Sequence, residues 1–174
     1  MTERSDSFAA VYDEQVWHVY GFFGYRVASR ADAEDLTQQT FERALKAWSR
    51  FDPSKASVGT WLMTIARNLL IDHYRRDRSQ LHEPIEEEGA VPASAISAGP
   101  EGDLGLDPDL ELALGDLGQR ERELIALRFG GDLTGPEIAE LTGLSLANVQ
   151  QILSRSLRKM RTRLEQPENA RMGD

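Results

Sequence analysis

The chain has 174 residues, 20 Lys+Arg against 29 Asp+Glu, a net charge of −9 and no cysteine. The missing thiols exclude disulfides, thiolate metal sites and cysteine nucleophiles. No apolar run approaches the roughly 18 residues a membrane span needs, and the polar start Met1 to Ser7 is unlike a secretory signal, so a cytoplasmic protein without membrane insertion is expected.

Charge is unevenly placed. Residues 1–80 carry 11 basic and 11 acidic side chains, residues 81–118 carry 10 acidic and no Lys or Arg, and residues 119–174 carry 9 basic and 8 acidic. The excess of negative charge therefore sits in one middle stretch between two nearly neutral halves, and net charge alone does not argue against a nucleic-acid partner.

In chain order, Phe8, Val11, Tyr12, Val16, Val19, Phe22, Phe23 and Val27 keep helical spacing. A second helix is expected from about Asp32 to Trp48, capped by Ser29 or Asp32, with Ala33, Leu36, Phe41, Ala44, Leu45 and Trp48 on its apolar face. Asp35, Gln38, Gln39, Glu42 and Lys46 lie on its other face. A third helix is expected from about Thr60 to Arg76, with Leu62, Ile65, Ala66, Leu69 and Leu70 as one buried stripe and Thr64, Arg67, Asn68, Asp72 and Arg75 opposite. From about Leu81 to Asp107 the chain is rich in Gly, Pro, Ala and acid, including Glu86-Glu87-Glu88, which is the composition of a flexible linker.

The last third is helical again. Leu110 to Leu117 and Glu121 to Phe129 supply apolar faces, and Gly130-Gly131-Asp132 breaks the chain. Thr134-Gly135-Pro136-Glu137 is a capping box with proline in the first turn, opening a short helix that carries Ile138, Ala139 and Leu141. Thr142-Gly143-Leu144-Ser145 is a turn, and a long helix follows from Leu146 to about Leu164. Ala139 is small where two helices approach, Gly143 tolerates positive φ, and Leu144, Val149 and Ile152 lock the second helix on the first. That is the pattern of a helix-turn-helix, its rival being an ordinary helical hairpin in a core. In a helix-turn-helix the second helix enters the major groove by its N-terminal part. Ser145, Ala147, Asn148, Gln150, Gln151 and Ser154 are then placed to read base edges, and Arg155, Arg158, Lys159, Arg161 and Arg163 suit phosphates.

His18, His73 and His82 lack metal-ligand spacing, so neither a metal nor a cofactor is expected. Glu14, His18, His73 and Glu86 to Glu88 form no nucleophile–base pair or phosphate loop, so no catalytic residue is assigned and an enzyme is not expected.

Asp32-Ala33-Glu34-Asp35-Leu36-Thr37-Gln38-Gln39-Thr40-Phe41, followed by Gly59-Thr60-Trp61 through His73-Tyr74-Arg75-Arg76, closely resembles the second conserved domain of the extracytoplasmic-function (ECF) subfamily of sigma-70 RNA polymerase sigma factors. Leu117 to Arg122, Glu137-Ile138-Ala139-Glu140 and Asn148-Val149 through Arg155 look like the fourth. The resemblance covers roughly residues 8–78 and 110–164. It implies an all-α protein: a domain over residues 1–80, an acidic linker over 81–109, a helix-turn-helix domain over 110–165 and a tail over 166–174. It further implies that Asp35, Gln38, Gln39 and Phe41 dock on the clamp helices of the largest subunit of bacterial core polymerase. Lys55, Thr60, Trp61, Arg67, Asn68, Arg75 and Arg76 would recognise and help open the minus-ten promoter element. Ser145, Asn148, Gln150, Gln151, Ser154, Arg155 and Arg158 would read the minus-thirty-five element, and an anti-sigma factor would be the controlling partner. The chain departs from the family pattern at Gln150-Gln151-Ile152, where basic residues are usual, which removes phosphate contacts. The alternative is a helix-turn-helix transcriptional regulator with a helical sensing domain, which would bind specific DNA without polymerase.

Overall fold

The computed structural model describes residues 2–81 and 106–166, with side chains over 7–79 and 106–166. All regular elements among the described residues are helical. The acidic run at 86–88 and most of the expected linker lie outside the described residues. The elements are α1 (Thr2–Gly24), α2 (Arg30–Ala47), a 3₁₀ turn (Trp48–Arg50), α3 (Val58–Leu81), α4 (Pro108–Gly115), α5 (Gln119–Ile125), a π turn (Ala126–Gly130), α6 (Gly135–Thr142) and α7 (Leu146–Glu165).

Local chemistry sets the helix starts. Ser29 caps α2 by accepting from the Asp32 amide at 3.1 Å, so of the two candidate caps the serine is used. Ser57 accepts from the Thr60 amide at 3.2 Å and α3 begins at Val58, two residues earlier than the apolar stripe suggests; it also runs on to Leu81. Thr134 and Glu137 form the expected capping box of α6. Gly143 ends that helix at φ +73°, a conformation that favours glycine.

Helix α2 buries Ala33, Leu36, Thr37, Thr40, Phe41 and Ala44. The two threonines are tolerated because their hydroxyls donate back to the Ala33 and Leu36 carbonyls, at 2.6 and 2.8 Å. Leu45, expected on the buried face, is instead 55% exposed. It stands about 100° around the helix from Ala44, beyond the reach of α3, and lines an open groove against α1.

Sequence patterning leaves open how the two helical halves sit, and in the structure they share one core. Phe22, Phe23, Leu62 and Met63 from the first half are buried in the same cluster as Leu124, Leu127, Leu133, Ile138 and Val149 from the second. A smaller cluster, Ala113, Leu114, Leu117, Ile125 and Met160, joins α4, α5 and α7. Two glycines let the halves meet backbone to backbone. A Cβ on Gly130 would stand 2.6 Å from the Gly21 carbonyl carbon and oxygen, and one on Gly21 would stand 2.9 Å from the Gly130 oxygen.

Arg122 is 1% exposed. Its Nε and Nη2 donate to the Leu114 carbonyl at 3.0 and 2.8 Å, and Nη2 also reaches the Gly115 carbonyl at 3.3 Å. The guanidinium thus adds to the hydrogen bonding of the carbonyls that end α4, where the Leu117 amide also donates to Leu114 at 3.2 Å. Burial, with nearby Arg26, brings its pKa down to about 10, so it stays charged at neutral pH. Arg26 in turn donates from Nη1 to the Gln119 carbonyl at 3.2 Å, and the Tyr74 hydroxyl donates to the Arg26 carbonyl. Arg122→Met removes the charged hydrogen bonds to the Leu114 and Gly115 carbonyls, leaving Leu114 the Leu117 amide at 3.2 Å, and should lower stability in urea denaturation by about 2 kcal/mol, whereas Gly143→Ala should cost about 1 kcal/mol through its backbone conformation alone.

Candidate nucleic-acid interface

The helix expected to read a DNA groove is α7. Ser145 caps it, its hydroxyl accepting from the Asn148 amide at 3.2 Å. Val149, Ser156 and Met160 face inward. Ser145, Asn148, Gln150, Gln151, Ser154, Arg155 and Arg158 are all exposed, as is Ala147, so the seven residues expected to read the minus-thirty-five element lie open on one helix and its cap. The N-terminal stretch of this surface is uncharged and rich in amide groups, and cations follow it.

Those cations are partly engaged. Glu121, 7% exposed, receives Arg155 Nε at 3.3 Å and Lys159 Nζ at 3.0 and 2.9 Å, and accepts from the Gly118 amide at 3.0 Å. Burial alone would raise this carboxyl's pKa. The hydrogen bonds from Lys159, Gly118 and Arg155 together outweigh it and hold the group below the ordinary carboxylate range. Arg163 pairs with Asp116 at 3.4 Å and Arg161 with Glu165 at 2.7 Å. Glu121 was visible in the sequence only as part of an apolar helical stretch; its role needed the fold.

On α3, Asn68, Arg75 and Arg76 are exposed, as is Lys55 in the preceding loop. Arg76 lies along its own helix, Nε donating to the Asp72 carbonyl at 3.4 Å. Trp61 is half-buried in an aromatic group, 4.8 Å from Phe51 and 6.0 Å from Trp48 between ring centroids. Two residues expected to face DNA are otherwise occupied. Thr60 is 6% exposed, and its hydroxyl lies 3.0 Å from that of Ser57. Arg67 is turned onto the second half, where it meets Glu123.

A third surface lies between α1 and α2, an open groove of about 740 Å³. Tyr12, Trp17, Gln38, Phe41 and Leu45 are among its walls, and Trp17 is 74% exposed. Gln38 and Asp35 are exposed beside it and Gln39 is half-buried, donating to Asp35 at 2.5 Å. Phe41 is 5% exposed, in edge contact with Tyr12 and Phe8, so it forms the groove's floor and not a free contact. Sequence reading missed Trp17, which sits outside the apolar stripe of α1. Among the described residues no group of three or more His, Asp or Glu is placed to hold a metal.

Two family matches divide along these surfaces. Sigma-70 region 2 matches residues 12–80, and sigma-70 region 4 matches residues 113–162. ECF RNA polymerase sigma factor RpoE of Cereibacter sphaeroides is 32% identical over 155 residues, covering 89% of this chain and 84% of that protein. The chain belongs to the ECF sigma factors.

ECF RNA polymerase sigma factor BldN of Streptomyces coelicolor is 34% identical over 172 residues, and this sigma factor spans 63% of its length. Among solved structures, the sigma factor RpoE bound to the anti-sigma factor NepR from Bartonella quintana has a TM-score of 0.71 at 21% identity, over 92% of this chain and 98% of that one. CnrH in complex with the cytosolic domain of CnrY has a TM-score of 0.61 at 23% identity over 92% of this chain and 89% of that one. These two likenesses concern the fold of the sigma factor.

The Glu121 anchor has a pH signature. Its folded pKa is depressed, so its contribution is present above the unfolded value, about 4.3, and is lost as pH falls through the lower folded value. Glu121→Gln should therefore cost about 1–3 kcal/mol at pH 7. That difference should shrink steadily below about pH 4 in denaturation measured against pH.

Proposed function

We propose that this sigma factor directs bacterial core RNA polymerase to specific promoters and helps to open them, acting in the cytoplasm without chemistry of its own. The observation that carries the reading is α7, whose exposed Asn148, Gln150, Gln151 and Ser154 form an uncharged groove-reading face with Arg155 and Arg158 behind it. Asn and Gln amides pair with adenine edges, each good pair worth about 1–3 kcal/mol of discrimination, while the arginines hold phosphates and set the register. Residues 110–165 are assigned to the minus-thirty-five element on this ground. Gln150-Gln151-Ile152 shifts the balance from phosphate grip toward base reading.

Residues 1–80 are assigned to polymerase docking and the minus-ten element. Opening duplex costs about 1.4 kcal/mol per stacked step. Lys55, Arg67, Asn68, Arg75 and Arg76 supply charge and hydrogen bonds for a displaced strand, with Thr60 and Trp61 shaping the start of α3. The groove between α1 and α2 suits a helix of the polymerase clamp laid against Trp17 and Leu45, with Asp35, Gln38 and Gln39 at its polar rim. The acidic segment 81–109 joins the two parts inside the enzyme, and 166–174 is a tail. An anti-sigma factor is the expected regulator, in line with the anti-sigma factor NepR bound to the sigma factor RpoE of Bartonella quintana.

Run-off transcription with purified core polymerase and a genomic promoter pool tests the reading, which fails if no promoter is used. On a recovered promoter, Asn148→Ala and Gln151→Ala should each lower transcription about 5- to 100-fold and relax one base position. Arg158→Ala should weaken all promoters alike and reduce the salt slope of binding by about one. In pull-downs with core enzyme, Trp17→Ala combined with Leu45→Ala should reduce affinity at least about tenfold.

A further inference from the structure

Glu121 serves two elements from one position. Its Oε2 accepts from the Gly118 amide at 3.0 Å, closing the start of α5. The same carboxylate takes Lys159 Nζ at 3.0 and 2.9 Å and Arg155 Nε at 3.3 Å, from side chains one turn apart on α7. Glu121 is buried, whereas Arg155 and Lys159 are about half exposed. Both cations line an open groove of about 410 Å³ beside the later half of α7, together with Asp116, Arg158, Thr162 and Arg163. Arg163 faces Asp116 at 3.4 Å. Of the four cations of this groove, Arg158 alone meets no carboxylate among the described residues. At the end of the helix Arg161 and Glu165 also pair, at 2.7 Å, but both are exposed, so water and salt screen the contact. Glu121 differs in reaching α7 from another element, with its carboxylate fixed by the α5 cap and shielded by burial.

We propose that Glu121 is a specificity-determining residue, acting through Arg155 and Lys159: it occupies them as a DNA phosphate would and so limits attachment to DNA of any other sequence than the promoter. This rests on the reading of α7 as the helix that enters the minus-thirty-five groove. A carboxylate and a phosphate offer a guanidinium or ammonium group the same kind of anionic oxygen, so a duplex must compete with Glu121 for these two side chains. Attraction to arbitrary sequence is carried almost wholly by such cations. Base reading is not. Asn148, Gln150, Gln151 and Ser154 precede Arg155 on α7, and among the described residues none of them is hydrogen-bonded to Glu121. On a promoter those side chains fix where α7 sits, and cations released from Glu121 would gain only the phosphates within reach of that seat. On other DNA nothing fixes the helix, and released cations would take the best register on offer. The carboxylate therefore weakens the wrong complexes more than the right one, which is how a withheld attraction produces selection.

The test uses the full chain assembled with core polymerase. Glu121→Gln removes the charge but keeps an oxygen for the Gly118 amide, and with it the α5 cap. Glu165→Gln removes an equal charge from the exposed pair on the same helix and controls for net charge. For each holoenzyme, run-off transcription from a promoter recovered with the unaltered chain is titrated with a promoter-free duplex. The salt dependence of binding to that duplex is read by fluorescence anisotropy. Glu121→Gln should lower the competitor concentration that halves transcription at least about fivefold and steepen the logarithmic salt slope by about two, roughly 0.9 for each phosphate gained. Glu165→Gln should leave both near the unaltered values. Adding Lys159→Met to Glu121→Gln should return the slope by about one, a change that mere loosening of the fold does not produce. Lys159→Met alone should lower the slope by less than about half as much as Arg158→Ala, whose guanidinium has no carboxylate to leave. Unchanged competitor sensitivity in Glu121→Gln overturns the proposal, whether or not the slope moves. Equal losses from Lys159→Met and Arg158→Ala overturn it too, and that comparison decides if Glu121→Gln forms no active holoenzyme. Absence of promoter-specific transcription by the unaltered chain overturns instead the reading of α7 on which the proposal rests.

Discussion

At one point in this protein two peptide backbones touch without side chains between them. Gly21, near the end of α1, and Gly130, at the end of the π turn, approach so closely that a methyl group on either would collide with the other's main chain. Everything that joins the halves is arranged around that contact. It brings the π turn onto α1 and Leu127 and Leu133 into the same core as Phe22 and Met63. It also brings Glu123 within reach of Arg67. A bulkier residue at either position would move whole helices, because close-packed interiors do not deform smoothly.

The junction is polar as well as apolar. Arg26 and Arg122 are both buried beside Tyr74, each spending its donors on carbonyls at a chain turn or helix end. Burial first and the neighbouring Arg26 second lower the pKa of Arg122. Each guanidinium adds hydrogen bonds to main-chain oxygens at the junction, the Leu114 carbonyl also accepting the Leu117 amide, so removing either arginine thins the hydrogen bonding of a buried turn.

Much of the helix-turn-helix is legible in the sequence because its parts are local. The Thr134–Glu137 box, Gly143 and Ser145 act within three or four residues, and all three perform as their positions suggest. The apolar stripe of α3 is equally plain, though Ser57 starts that helix earlier than the stripe does. What was not legible depends on distant partners. Gly130-Gly131 reads as a chain break, but Gly130 closes a π turn pressed on a helix more than a hundred residues earlier. Arg67 reads as a free surface cation until Glu123 is placed opposite. Leu45 fits the apolar pattern yet is exposed, and Trp17 falls outside the stripe of α1, because nothing within the described residues covers either. A stripe argument assumes that every large apolar side chain is satisfied internally, whereas a surface meant for another molecule breaks that rule.

The double grip of Glu121 on Arg155 and Lys159 has a bearing on how this sigma factor divides adhesion from discrimination. A guanidinium or ammonium already facing a carboxylate brings little uncompensated charge to a duplex. Each phosphate it meets then displaces an internal partner as well as the condensed counterion. In the proposed reading, attachment through the far end of α7 is correspondingly loose, and the amides at its near end decide where the helix rests.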